Sequence, residues 1–172
     1  MRPVDKRDSD ELFKLTDLNR QNLRLWLPWL DGVRKRQDTE KFIQISQKQL
    51  EEKTGCVLSI RFQQVLIGVV DFHGFDSFNN QASIGYWLGE KWRGKGLMLE
   101  AVEALVRLGF EELGLHRMEM RIAEGNEPSR RIPRALGFQL EGKLRDAEWL
   151  YDHFVDHEVY GLMREDWEKG SR

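Results

Sequence analysis

The sequence of 172 residues has little cysteine, little proline and no excess of positive charge. Its one cysteine, Cys56, can form neither an intramolecular disulfide nor a thiolate metal cage, and such usage is typical of a reducing compartment. The chain has 27 Lys and Arg against 29 Asp and Glu, so it lacks the positive field that holds polyanions without sequence preference. We therefore expect a cytoplasmic protein that does not bind nucleic acid directly.

Long apolar runs and linkers are also missing. No run approaches the roughly 18 apolar residues that a membrane span needs, and charged residues interrupt the N-terminus, which predicts neither a signal peptide nor an anchor. Repeats, low-complexity tracts and segments rich in Pro, Gly and Ser are absent, and the 4 prolines leave nothing that divides the chain. We expect one domain over residues 1–172.

Helix-like patterns come first along the chain. Apolar residues at helical spacing predict a helix over 10–18 with Ser9 as its N-cap, and another over 39–52 with Asp38 as its N-cap. The segment between them, 22–30, predicts a short apolar helix or turn.

Strand-like patterns begin after residue 55. The runs 56–60 and 66–70 predict a hairpin, and 82–88 predicts a third strand after a polar turn. Two adjacent rows of apolar residues then predict a long helix over 97–113, which Gly114 ends.

The last third of the chain alternates between the two patterns. A strand is predicted over 117–122, followed by a short helix over 126–136 that we expect Pro133 to bend. Two final strands are predicted over 138–144 and 154–162. Because a strand-helix-strand crossover makes two strands parallel, the order predicts an α+β fold with a mixed sheet.

A glycine-rich segment, 89–96, connects the third strand to the long helix and reads Gly-Glu-Lys-Trp-Arg-Gly-Lys-Gly. Glycine permits positive φ, so consecutive N–H groups can face one anion in front of the positive end of the helix. Arg93 and Lys95 add formal positive charge. A plain turn with solvated basic residues explains the same pattern. Neither the Walker nor the Rossmann phosphate loop fits, because Leu97 and Leu99 stand where those motifs need Ser or Thr and glycine.

The segment over 93–98, Arg-Gly-Lys-Gly-Leu-Met, resembles the phosphate loop of the GNAT acetyltransferase superfamily, although Met98 replaces a small residue. Asn126 and Ser129, with Leu-Gly-Phe at 136–138, resemble that family's Asn-x-x-Ser…Leu-Gly-Phe helix. A third set of segments is similar to the branch of ribosomal-protein N-terminal acetyltransferases, including alanine N-acetyltransferases, and consists of 25–29, 84–88, 140–142 and 159–162. The resemblance covers nearly the whole chain.

The resemblance implies a GNAT fold, in which helices flank a mixed, mostly antiparallel sheet with a splayed parallel pair. It also implies acetyl-CoA as cosubstrate without a metal, a peptide or protein N-terminus as acceptor, and a chain that can form homo-oligomers. Members of the family usually begin with a Leu-x-Leu-Arg strand. Met1-Arg2-Pro3 begins midway through it, so the edge strand is expected to be short or absent.

The resemblance implies roles for single residues. A backbone N–H near Leu88 would stabilise the oxyanion, and Ser129 would help to protonate the leaving thiolate. These two are the catalytic candidates, while a helix cap at Asn126 and a first-turn hydroxyl at Ser129 are the structural alternatives. The residues implied to bind the cofactor are Tyr86, Trp87, Leu88, Arg93, Gly94, Lys95, Gly96, Leu97, Met98, Asn126 and Ser129.

The attacking amine must be uncharged, and a free α-amine, with a pKa of about 8, is neutral far more often than a lysine. The strand over 82–88 contains no carboxylate, which favours an α-amine acceptor or a proton relayed by water. Asp71 is a candidate for a remote base, or a surface carboxylate. Tyr86 would orient the amine or only pack. A small-amine acetyltransferase and a non-catalytic CoA-binding module remain open as alternatives.

Other residues with chemical potential have weaker patterns. Trp26, Pro28 and Trp29 would form the acceptor wall or belong to the core. His153 and His157 flank acidic residues but do not form a His-Glu-x-x-His motif, so no metal site is predicted.

Overall fold

A computed structural model describes residues 1–170. They form a seven-stranded sheet in the order β1-β2-β3-β4-β5-β7-β6. The strands are β1 (Arg2–Pro3), β2 (Cys56–Phe62), β3 (Val65–Asp76), β4 (Gln81–Leu88), β5 (Arg117–Ala123), β6 (Gln139–Leu150) and β7 (His153–Met163). The helices are α1 (Ser9–Leu18), α2 (Arg20–Arg24), α3 (Arg36–Glu51), α4 (Leu97–Arg107), α5 (Glu127–Ala135) and α6 (Arg164–Gly170). The α+β class is confirmed.

The strand pairing follows the predicted connections. β2, β3 and β4 form an antiparallel meander, and the first turn contains Gln63 and Gln64, both with positive φ. β4 and β5, which α4 connects, are the parallel pair. β1 pairs with β2 through Arg2 and Pro3 alone, so the expected short edge strand is confirmed.

Helices cover both faces of the sheet. On one face, α4 buries Val102 and Leu105 against residues such as Phe72 and Met120. On the other face, a smaller cluster joins α1 and α3 to β3, and its buried members are Val4, Leu12, Ile43, Leu66 and Val69. Among the described residues, no helix combines the length and the apolar character that crossing a membrane requires.

Both predicted N-caps are wrong. A 3-10 turn precedes α1, so Ser9 is already helical and its hydroxyl donates to the carbonyl of Lys6 at 2.7 Å. Lys35 is the N-cap of α3, and Asp38 lies inside the first turn, where its carboxylate accepts from the N–H of Lys35 at 3.0 Å. The Asp38 carboxylate therefore serves the helix start from inside the helix, whereas the Ser9 hydroxyl serves a carbonyl of the preceding turn.

Other elements also differ from the prediction. α2 ends at Arg24 because the chain then turns, and the predicted helix over 97–113 is α4 followed by a π-helical turn, Leu108–Glu112. The wider turn shifts the apolar face, and Leu113 is 47% exposed. The sequence patterns did not predict α6.

The last hairpin forms one edge of the sheet. β6 is longer than predicted and most of its residues are exposed. Its register with β7 shifts between Leu140 and Gly142 and again between Leu144 and Glu148, with Asp146 at a φ of +48°. The edge strand is therefore interrupted by bulges.

Candidate active site

The parallel pair opens towards one end. Residues 81–83 of β4 pair with residues 117–119 of β5, and within the described chain their register ends there. On their other edges, β4 stays paired with β3 as far as Leu88, and β5 with β7 as far as Ala123. The two strands therefore splay and leave a gap beside residues 84–88.

The backbone of Leu88 faces this gap. The N–H of Gly89 donates to the carbonyl of Ile67 in β3 at 2.8 Å, and successive residues of a strand point their backbone groups to alternate sides. Leu88 therefore directs its own N–H and C=O away from β3. Its carbonyl accepts from Nε of Arg93 at 3.2 Å, and its N–H faces the gap as a donor.

The segment after β4 brings a helix start to the gap. Gly94 and Gly96 have φ of +72° and +79°, and a Cβ at either position would meet no atom within 4 Å. These positions need glycine for backbone conformation and not for space. Within residues 1–170, no side chain caps the first turn of α4, which follows Gly96. Its N–H groups are therefore available to an anion, with the positive end of the helix dipole behind them.

The first turn of α5 lies on the other side of the gap. Asn126 is its N-cap and accepts from the N–H of Ser129 at 3.4 Å. The hydroxyl of Tyr86 in β4 donates to the carbonyl of Ser129 at 3.0 Å. Burial raises the pKa of the Tyr86 phenol, so it is a protonated donor at neutral pH.

These elements enclose a cleft of about 200 Å³. β4, the loop and α5 form one side, and α2 with the segment after it forms the other. The lining residues are Asn22, Leu23, Trp26, Leu27, Tyr86, Trp87, Leu88, Arg93, Gly94, Met98, Asn126, Pro128, Ser129 and Ile132. Apolar side chains predominate, and the lining contains one basic side chain and no carboxylate.

The cleft brings together most of the residues predicted to bind a cofactor. Eight line it, namely Tyr86, Trp87, Leu88, Arg93, Gly94, Met98, Asn126 and Ser129. Lys95, Gly96 and Leu97 belong to the same loop and helix start but lie outside the lining. Lys95 is exposed, with Nζ 5.2 Å from the ring centre of Trp92.

Asp71 lies outside the cleft lining. Its carboxylate Oδ1 is 2.7 Å from Nδ1 of His73, and a Cβ at Gly85 would lie 2.7 Å from its Oδ2. The carboxylate therefore covers Gly85 on β4 and is partnered by an imidazole.

Aromatic residues close the side opposite β4. Trp26 lines the cleft, and its Cη2 would lie 3.3 Å from a Cβ at Gly125, so the indole packs against the turn before α5. Trp29 packs against Trp87 with ring centres 6.4 Å apart, while Pro28 lies outside the lining. Trp26 is thus part of the wall, while Trp29 lies outside the lining and contacts Trp87 of β4.

The β6–β7 hairpin contacts the same wall. The hydroxyl of Tyr151 donates to the carbonyl of Leu27 at 2.6 Å, and the Arg24 guanidinium lies 3.7 Å above the Tyr151 ring centre. Arg24 also pairs with Asp31 at 3.0 Å. These contacts join α2 to the end of the sheet farthest from α1.

An ion pair attaches α5 to β7. Arg130 donates to both carboxylate oxygens of Glu158, at 2.7 and 2.5 Å, and the hydroxyl of Tyr160 also donates to Glu158. Glu158 is 7% exposed. Burial alone would raise the pKa of this carboxyl, but the hydrogen bonds from Tyr160 and Arg130 hold it below its ordinary value.

The two histidines of the last hairpin have acidic partners. Nδ1 of His153 lies 2.6 Å from Asp152, and Nε2 of His157 lies 3.5 Å from Glu148. In the part of the chain that the structure describes, no three His, Cys, Asp or Glu side chains converge as a metal ion would require.

Comparison with known proteins shows the family to which this arrangement belongs. Residues 1–139 match the family model described as Acetyltransferase (GNAT) domain. The chain belongs to the GNAT acetyltransferase family. A relative in Escherichia coli (strain K12), named ribosomal-protein-serine acetyltransferase, is 31% identical over 152 residues, which are 88% of this chain and 85% of the relative.

Two solved structures extend the likeness. The ribosomal L7/L12 alpha-N-protein acetyltransferase RimL, in complex with coenzyme A, has a TM-score of 0.92 at 26% identity and covers 94% of this chain and 92% of its own. The microcin C7 self-immunity acetyltransferase MccE, in complex with acetyl-CoA and AMP, has a TM-score of 0.89 at 29% identity, with 95% and 90% covered. This GNAT protein is an acetyl-CoA-dependent N-acetyltransferase.

The cleft of this GNAT protein fits acetyl-CoA on three observations. The uncapped N–H groups at the start of α4 suit a diphosphate, and the open edge of β4 beside Leu88 suits an extended amide chain. The mostly apolar lining suits the acyl end of the arm.

Sequence reasoning missed several lining residues of this GNAT protein. Asn22 in α2 contacts the loop through its Nδ2, 2.5 Å from Glu90, and Leu23 and Ile132 complete the apolar surface. Asn22 belongs to no motif, while Leu and Ile at helical spacing look the same whether they pack in a core or line a cleft. No signal in the sequence separates the two uses.

Proposed function

We propose that this GNAT enzyme transfers the acetyl group to the N-terminal α-amine of a protein, and that the acceptor is a ribosomal protein. The observation that carries this proposal is the edge of β4, which ends its pairing with β5 at residue 83 and presents Leu88 to the gap. Two relatives named for the acetylation of ribosomal proteins support the acceptor class. The single, half-buried cysteine suits a reaction in the cytoplasm.

The loop and the two helix starts bind the donor. The N–H groups of residues 94–98 hold the diphosphate at the positive end of α4, with Arg93 beside them. The backbone of Leu88, which faces the gap, pairs with the pantetheine arm in the way of an added strand, while the backbone of Trp87 is paired with β3 and its residue lines the cleft. Asn126 contacts the arm from α5.

Two groups of the chain act on the reacting atoms. Acetyl-CoA, when bound, supplies the acetyl group as a thioester. The N–H of Leu88 donates to the carbonyl oxygen of the thioester as negative charge develops there. This N–H is available because it faces the gap, where β4 no longer pairs with β5. The Ser129 hydroxyl, at the start of α5, donates a proton to the departing thiolate, and the proton that the attacking amine loses is relayed by water and restores the hydroxyl.

The cleft suits an α-amine as nucleophile. Its lining contains no carboxylate, so it offers no direct base to a protonated lysine and no partner to the second charge of a polyamine. An α-amine, with a pKa of about 8, loses its proton to water near neutral pH far more readily. Trp26 and the β6–β7 hairpin form the wall along which the peptide lies.

The test is a peptide panel incubated with acetyl-CoA, read as release of the free thiol of coenzyme A. One set has a free α-amine and no lysine, and the matched set has a blocked N-terminus and one lysine. We expect turnover with the first set to exceed turnover with the second by about a hundredfold or more, because the neutral fractions of the two amines at pH 7 differ by roughly two hundredfold. Equal rates with both sets would contradict the α-amine proposal.

Variants connect the rate to the assigned groups. Ser129→Ala is expected to lower kcat by about 100-fold or more, because a positioned acid is lost. Ser77→Ala, in an exposed turn, is the matched control and should keep the wild-type rate. An unchanged kcat in Ser129→Ala would remove Ser129 from the mechanism.

A small molecule is the second candidate acceptor, because MccE, similar over 95% of this chain, has AMP bound beside acetyl-CoA. Free amino acids and aminoacyl nucleotides added to the same panel decide between the two. A kcat/KM for one of them above that for every peptide would favour the small acceptor.

A further inference from the structure

α5 contains a proline where a helix normally has a donor. In an α-helix the N–H of each residue donates to the carbonyl four positions earlier, and proline has no N–H. Pro133 lies inside α5, so the carbonyl of Ser129 lacks its usual helical donor. An unpaired carbonyl in a partly buried position is destabilising, and a replacement donor is therefore needed.

Tyr86 supplies that donor from a different element. Its hydroxyl lies 3.0 Å from the carbonyl oxygen of Ser129 in a part-buried position. Tyr86 stands in β4 beyond Ser83, the last residue of β4 that pairs with β5. The bond therefore crosses the gap where the sheet ladder has ended, and it joins β4 to α5, two elements that line the same side of the cleft.

We propose that Tyr86 is a positioning residue, whose hydroxyl replaces the helical N–H that Pro133 lacks and thereby fixes the first turn of α5 against β4. The consequence for the donor site rests on the proposed function. Asn126 and Ser129, both in that turn, line the cleft at the distance from Leu88 that this bond sets.

A second contact shows why the effect is one of position. Arg130 holds α5 to β7 through both carboxylate oxygens of Glu158, independently of β4. Loss of the Tyr86 hydroxyl therefore leaves the helix folded and attached to one strand, but free to move relative to the other. Both β4 and the start of α5 line the cleft, so this movement changes its shape.

A double-mutant cycle with Tyr86→Phe and Pro133→Ala tests the proposal. Calorimetry with coenzyme A alone gives the affinity, and steady-state kinetics separate kcat from KM. In the proline background we expect Tyr86→Phe to weaken coenzyme A binding about fivefold, the factor for one lost hydrogen bond. In the Pro133→Ala background the restored N–H serves Ser129, so the same change should have less than about a twofold effect.

The proposal would be overturned if Tyr86→Phe lowered coenzyme A affinity equally in the two backgrounds, or did not lower it in the proline background. Coenzyme A binding needs no acceptor amine. The cycle therefore tests the role of Tyr86 even if the proposed acetylation of an α-amine is wrong. Should Pro133→Ala fail to fold, amide hydrogen exchange in Tyr86→Phe decides instead. Faster exchange over residues 129–132 with unchanged exchange in β7 is expected, and unchanged exchange in both would reject the role of Tyr86.

Discussion

The two edges of β4 differ although they belong to one strand. Towards β3, residues 83–88 pair without interruption with residues 68–73. Towards β5, pairing covers residues 81–83 and then ends within the described chain. One edge is a closed wall of backbone hydrogen bonds, and the other is an open row of donors and acceptors.

The difference shows how a sheet can make a binding site without a special residue. The N–H of Leu88 is an ordinary strand donor that has lost its neighbour, held in place by the closed edge behind it. The closed edge must be rigid and the open edge must stay open. Four substitutions test these two requirements separately.

The largest effect is expected at the closed edge, from Gly68→Ala. A Cβ at Gly68 would overlap the carbonyl oxygen of Trp87, a backbone atom that cannot move without shifting Leu88. We expect a loss of about 3 kcal/mol in the free energy of unfolding, the upper range for overpacking, and at least a tenfold loss of kcat/KM. Gly142→Ala, where a Cβ meets no atom within 4 Å, should change neither quantity.

Urea unfolding and steady-state kinetics measure the two effects. If Gly68→Ala retained wild-type stability, the closed edge would be as adaptable as the open one.

The next effect concerns the helix start at the open edge. Gly96→Val places a β-branched residue at a φ of +79°, which costs about 1–2 kcal/mol and disturbs the row of N–H groups. We expect coenzyme A affinity, measured by calorimetry, to fall by about tenfold or more. Gly114→Val introduces similar strain at a φ of +68° after the π turn, away from the cleft, and should leave the affinity unchanged.

A smaller effect is expected where the open half is braced. Arg117 in β5 donates to Glu141 in β6 at 2.5 Å, and this pair passes over Gly161 in the strand between them. A Cβ at Gly161 would overlap the ends of both side chains, which can move aside. Gly161→Ala should therefore lower the free energy of unfolding by only about 1 kcal/mol, through the lost ion pair.

Thermal or urea unfolding of Gly161→Ala, Glu141→Ala and the double variant isolates this pair. If the losses of unfolding free energy in Gly161→Ala and Glu141→Ala simply add in the double variant, the methyl group added at Gly161 acts on something other than the ion pair.

The smallest effect is a pH dependence in the anchor of α5. Because the pKa of Glu158 is lowered in the folded state, the unfolded chain binds more protons as the pH falls through about 4.5. The contribution of ionised Glu158 to the free energy of unfolding is complete above that pH and is lost as the pH falls below it. Glu158→Gln should therefore flatten the decline of unfolding free energy between about pH 5 and 3, while the exposed Glu103→Gln control should not.

The sequence predicted what depends on neighbours along the chain. The glycines of the loop and the parallel pair around α4 follow from local spacing and chain order, and the cap at Asn126 was one of the two roles that the sequence left open. The helix over 97–113 was predicted by the same spacing, but its π turn was not, because a shift of one residue leaves the apolar rows almost unchanged until Leu113.

The rest depends on contacts between distant residues. Nothing local states that the β4–β5 register ends after Ser83, or that Tyr86 reaches the carbonyl of Ser129. In the sequence Gly161 is only a residue of low strand propensity, and the structure shows that the Arg117–Glu141 ion pair passes over it. The assignment of single residues to catalysis and cofactor binding, and the extent of the domain, stay predictions.

The bulged edge of β6 has a consequence for the behaviour of the protein at high concentration. An exposed strand of 12 residues would otherwise be a template for fibril growth. The register shifts around Gly142 and before Glu148, with Asp146 at positive φ, twist the free backbone groups out of line. Continuous edge-to-edge aggregation is thereby blocked, so self-association at this edge has to use side chains.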